Sequence, residues 1–81
     1  MDHNRLRWAA RRGMLELDLL FSAFLDGHFD QLNEGEIRTF SRLLSCEDQE
    51  LYAWLMGREA APDAELRAMV ARVNSAVSDA S

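Results

Sequence analysis

The chain has 81 residues with 14 acidic and nine basic side chains, every basic one an arginine, for a net charge of −5. A single domain of this length buries roughly 60–65% of its unfolded surface, so an enclosed cofactor site together with a catalytic apparatus would be hard to fit. The acidic excess argues against a general nucleic-acid binder, whose affinity comes from clustered cations. The charge is unevenly laid out: residues 1–12 hold Arg5, Arg7, Arg11 and Arg12 against Asp2, or +3, and residues 13–81 hold five arginines against 13 acids, or −8.

Strand signals are nearly absent and helical spacing runs through the whole chain, so the expected fold is all-α, a small five-helix bundle forming one domain over 1–81. The first helix is expected over 4–12. On its wheel Leu6 and Ala10 face one side and Trp8 lies between two arginine pairs on the other, an arrangement frequent at binding hot spots. The alternative is that Trp8 folds back beneath arginine stems. Arg11 and Arg12 then place cations beside the exposed carbonyls of that helix end, and Gly13 offers a residue free to take a left-handed conformation.

The second helix, near 14–27, carries Leu17, Leu20, Phe21, Phe24 and Leu25 at i, i+3, i+4, i+7 and i+8. Glu16 and Asp18 suit its positive start. Asn33 and Glu36 form a capping pair that opens the third helix, near 34–44, with Ile37, Phe40 and Leu44 inward. Ser45 or Asp48 is expected to open the fourth, near 48–57, which holds Leu51, Trp54 and Leu55 and closes at Gly57. Pro62 and Asp63 open the fifth, near 63–78, because proline is tolerated where no helical N–H partner exists. Its stripe is Leu66, Met69, Val70, Val73 and Val77.

Chemistry-bearing clusters are sparse. His3, His28 and Cys46 lack the short spacing that places two zinc ligands on one helix face or turn. An EF-hand register starting at Asp30 fails at Leu32 and Ser41, where oxygen ligands belong. Glu47, Asp48 and Glu50 would raise the Cys46 thiol pKa, so Cys46 is read as a packed residue and not as a nucleophile. One cysteine cannot form an intramolecular disulfide, which points to a reducing compartment. The apolar stretch Leu19–Leu25 falls far short of the roughly 18 residues that span a bilayer. With no signal-peptide pattern before it, the expectation is a bacterial cytoplasmic protein without membrane insertion.

What remains is the local cluster from Arg11 to Asp18. Cations closing one helix, a glycine corner and acids opening the next account for it structurally. The same corner sets Arg12 beside Glu16 as a rigid knuckle of two signs, suited to orientation-specific contacts.

Arg12-Gly13-x-x-Glu16 resembles the RGxxE motif of the SdhE family, the FAD assembly factors of succinate dehydrogenase, called succinate dehydrogenase assembly factor 2 in mitochondria. Trp8 stands before the motif as in that family, and Glu16-Leu17-Asp18 continues it. Phe29-x-x-Leu32, Leu43-Leu44-x-Cys46-x-Asp48, Trp54-Leu55-Met56 and Asp63-Ala64-Glu65-Leu66 match later blocks in order. The resemblance implies a five-helix chaperone-like protein, not an enzyme, that promotes covalent attachment of FAD to the flavoprotein subunit of succinate dehydrogenase, and in bacteria of fumarate reductase. It implies no stably bound cofactor, since FAD is attached to the partner, and no metal. Carried over by position, Arg12, Gly13 and Glu16 are the partner-binding knuckle, with Trp8, Arg11 and Asp18 as neighbours. A side chain at Gly13 is expected to strain the corner and to collide with the partner. The chain is expected to be a monomer that binds no nucleic acid. The competing reading is a small regulatory or antitoxin-like protein acting through a protein or nucleic-acid partner, supported only by the basic first helix.

Overall fold

The computed structural model describes Trp8, Ala10 and residues 13–80, without the side chains of residues 77–80. Among the described residues there are four helices and no strand: α1 (Leu15–His28), α2 (Glu34–Leu44), α3 (Asp48–Leu55) and α4 (Ala64–Ala80), with a 3-10 turn at Phe29–Gln31 after α1. The all-α expectation holds. The count of five does not carry over directly, because the expected first helix is represented only by Trp8 and Ala10, both helical, and the rest of 4–12 lies outside the described residues.

The expected stripes supply the core. Leu17, Phe21, Phe24 and Leu25 of α1 are buried, as are Phe40, Leu43 and Leu44 of α2, Leu51, Trp54 and Leu55 of α3, and Leu66, Met69, Val70, Val73 and Ala76 of α4. Val77, the last member of the expected α4 stripe, has no described side chain. Helix α4 packs against all three other helices. At the centre Phe40 meets Phe21 edge-on at 5.9 Å between centroids and Phe24 at 5.1 Å. Each fully buried side chain of this size contributes about 1.5–3 kcal/mol through the water it sheds.

The helix boundaries follow from their caps. Asn33 Oδ1 accepts from Glu36 N–H at 2.8 Å, and Glu36 Oε1 accepts from Asn33 N–H at 2.9 Å, the reciprocal pair expected there. Ser45 ends α2 and does not open α3: its hydroxyl donates to Arg42 O at 2.6 Å. Asp48, the other expected opener, is the first residue of α3, and Glu47 caps it, its N–H donating to Glu50 Oε1 at 3.4 Å. Gly57 has a positive φ of 76°. It follows the last turn of α3, where a left-handed residue lets the chain reverse. Asp63 Oδ1 accepts from Leu66 N–H at 2.8 Å and starts α4.

A polar seam ties α2 to α4. Arg42 Nη2 donates to Asp63 Oδ2 at 2.7 Å and lies near Glu65, and Arg72 pairs with Glu36. The buried Thr39 hydroxyl lies 3.1 Å from Gly35 O and 3.2 Å from Glu65 Oε2, so its single proton serves either acceptor. The hydrogen bond from Leu66 N–H, reinforced by the Arg42 guanidinium, holds the Asp63 carboxyl below its usual 3.8.

Candidate functional site

The sequence cluster sits where the chain enters α1. Met14 is extended, at φ −109° and ψ 118°, with no side-chain cap, and it packs against the core from its half-buried position. Its carbonyl accepts from Asp18 N–H at 3.1 Å, closing the first turn. Met14 therefore anchors the corner from below and leaves its neighbour Gly13 outside. Gly13 and Glu16 are exposed and Asp18 is half-buried. Both acids lie in the first turn, where the positive end of the helix favours negative charge.

The φ of Gly13 is set by its link to Arg12, so the left-handed conformation expected there lies outside the described residues. A Cβ placed on Gly13 meets no atom of the described residues within 4 Å. The corner turns at the extended Met14 backbone, and among the described residues nothing crowds a side chain at Gly13.

Before the corner, Ala10 is buried and Trp8 is 73% exposed. That is the orientation the wheel anticipated, with alanine inward and indole outward, and it removes the alternative in which Trp8 is covered. Arg11 and Arg12, the cationic half of the expected knuckle, lie outside the described residues. The structure thus presents Trp8, Gly13 and Glu16 as accessible groups around the entry to α1.

Two residues that the sequence reading did not single out belong to this surface. Leu15 is 67% exposed and Leu19 62%. They stand one turn apart on the side of α1 opposite the buried Leu17 and Phe21. Their signal is a second i, i+4 leucine pair that falls outside the inward stripe. The dense apolar stretch through residue 25 concealed it.

The remaining candidates are structural. Cys46 is half-buried, packed against the core, with its Sγ 3.6 Å from Arg42 O. His28 stacks on Phe24, ring planes 4° apart and centroids 5.9 Å apart. Among the described residues no three His, Cys, Asp or Glu side chains are grouped to hold a metal ion. An open groove of about 310 Å³ is lined by Phe24, His28, Gln31, Ala71, Arg72 and Ser75. It lies at the small end of ligand-site volumes. Its guanidinium is already paired with Glu36.

The family model described as "Flavinator of succinate dehydrogenase" matches residues 4–77. The chain belongs to that family. Among relatives named FAD assembly factor SdhE, the one from Shewanella oneidensis is 53% identical over 73 residues, covering 90% of this chain and 89% of the relative. The Colwellia psychrerythraea relative is 56% identical over 66 residues, or 82% and 72%. That of Legionella pneumophila is 45% identical over 74 residues, or 91% and 92%. Members of this family are assembly factors and not enzymes with their own active site. Among the described residues no helix is long and apolar enough to cross a membrane.

Proposed function

We propose that this flavinator binds the flavoprotein subunit of succinate dehydrogenase and promotes covalent attachment of FAD to it through the corner formed by Trp8, Arg11, Arg12, Gly13, Glu16 and Asp18. The supporting observation is that Gly13 and Glu16 are solvent-exposed and Trp8 is 73% exposed around a corner pinned by the packed Met14. A pinned corner loses little conformational freedom on docking, so its polar contacts favour orientation over bulk affinity. Glycine lets the partner's surface approach the backbone closely. Glu16 supplies an acceptor-only carboxylate, and the arginines supply fixed forks of donors. Covalent flavin chemistry stays with the flavin and its host. This chain contributes the surface that holds the host in position, with no FAD stably bound to itself.

The same reading takes residues 1–81 as one five-helix domain, with Trp8 and Ala10 marking the first helix. It takes the protein as a monomer in a bacterial cytoplasm, serving fumarate reductase as well, with no affinity for nucleic acid because the −8 beyond residue 12 opposes phosphate. The test compares flavin fluorescence of denatured flavoprotein from cells with and without the gene. Loss of fluorescence in the deletion strain is expected, and undiminished fluorescence would overturn the assembly role.

A further inference from the structure

Leu15 and Leu19 are exposed leucines in a chain whose other leucines are buried or half-buried among the described residues. Along the outward face of α1 they are followed by Ser22 and Asp26, both exposed. The apolar patch is therefore confined to the first two turns, directly after Gly13. Glu16 and Asp18 flank it on either side of the helix wheel.

From this placement we infer that Leu15 and Leu19 form an apolar anchor for the flavoprotein subunit, extending the Gly13–Glu16 corner along α1; the inference rests on the function proposed above. Two leucines one turn apart offer the i, i+4 spacing by which a helix seats in an apolar groove. A polar rim around an apolar centre is the layout of energetic hot spots. The charges favour a different protein over a second copy of this chain. In a two-fold pairing the patch meets itself, which would bring the exposed Glu16 carboxylates of both copies together as the leucines desolvate. Two leucines also supply far less than the roughly 800 Å² per partner of a stable interface. Joined to the corner, they become one part of a larger contact whose partner offers an apolar pocket edged by cations.

The experiment is calorimetric titration of the purified chain into succinate dehydrogenase flavoprotein prepared without covalent flavin. Four forms are compared: wild type, L15Q/L19Q, L15M/L19M and M56Q. Met56 is an exposed apolar residue outside α1. Glutamine matches leucine closely in helix propensity, and a thermal melt of each variant checks that α1 is intact. The expected results are a Kd roughly 10- to 100-fold weaker for L15Q/L19Q, from two lost apolar burials, and values within about threefold of wild type for L15M/L19M and M56Q, which keep the apolar anchor or lie away from it. Wild-type binding with unchanged affinity in a folded L15Q/L19Q overturns the anchor and leaves the functional reading standing. Equal weakening by M56Q overturns it as well. Absence of wild-type binding overturns the choice of partner and the anchor with it. A sedimenting wild-type dimer that L15Q/L19Q dissociates, with flavoprotein affinity unaltered, assigns the patch to a second copy and also overturns the proposal.

Discussion

Replacing Gly13 by arginine separates folding from function because of the geometry at that one position. Gly13 is exposed, and a Cβ there meets no atom of the described residues within 4 Å. Folding should therefore change by no more than a surface substitution does, within about 0.5 kcal/mol. At this chain length that is a Tm shift of about 2–4 °C. Loss of glycine's freedom in the unfolded chain acts in the stabilising direction. Docking is different. Forcing a long cationic side chain into a fitted contact costs about 1–3 kcal/mol, which is roughly 5- to 150-fold in affinity. The assay is in-gel flavin fluorescence of the denatured flavoprotein, in cells lacking the wild-type gene and expressing Gly13→Arg, with a melt of the purified variant alongside. Expected are a native-like melt and fluorescence close to that of the empty strain. A Tm lowered by more than about 8 °C, beyond any strain-free substitution, would show that the corner is strained after all. Normal fluorescence from a folded variant would remove Gly13 from the contact. Gly57→Ala is the internal contrast. At φ 76° a side chain costs about 1–2 kcal/mol, so its melt should fall while flavinylation per folded molecule stays near wild type.

Glu16→Arg should weaken the flavoprotein complex measurably in a pull-down or titration, whereas Glu50→Gln, exposed and still able to accept the Glu47 N–H, should leave it unchanged; equal loss from both would place the contact elsewhere. Asn33→Ala removes one half of the α2 capping pair and should cost about 1 kcal/mol, seen as a Tm about 4–8 °C lower; an unchanged melt would mean that water replaces the cap. Asp63 titrates below 3.8 when folded, so its charge stabilises the fold above that pH and ceases to do so as pH falls through the folded value. The Tm difference between wild type and Asp63→Asn should accordingly be full near pH 6 and shrink below about pH 4, the unperturbed range for aspartate. A difference that grows on acidification would contradict the assigned shift.

How far the fold is legible in the sequence depends on what each residue type can signal. Asn33 with Glu36 is a local chemical pair, and it forms as written because both partners lie within one turn. Ser45 misleads, since a hydroxyl donates to the end of one helix as readily as it accepts at the start of the next. Gly57 at an expected helix end does use its freedom in φ, as the sequence suggests, because the chain reverses there after α3. At the candidate site, the outward aspect of Trp8 follows from the wheel that places Ala10 inward. The exposure of Leu15 and Leu19 is visible only once the buried side of α1 is fixed by Phe21 and Phe24 meeting Phe40.

The two tryptophans stand in opposite surroundings, Trp8 73% exposed and Trp54 7%. The protein thus contains two optical probes that answer separate questions without any label. Emission from the wet indole should be the part reached by acrylamide, and it should shift to shorter wavelength when a partner covers the entry to α1. Emission from the dry indole should stay unquenched until the bundle opens. A single spectrum can then follow assembly at its blue-shifting component and unfolding at its red-shifting one.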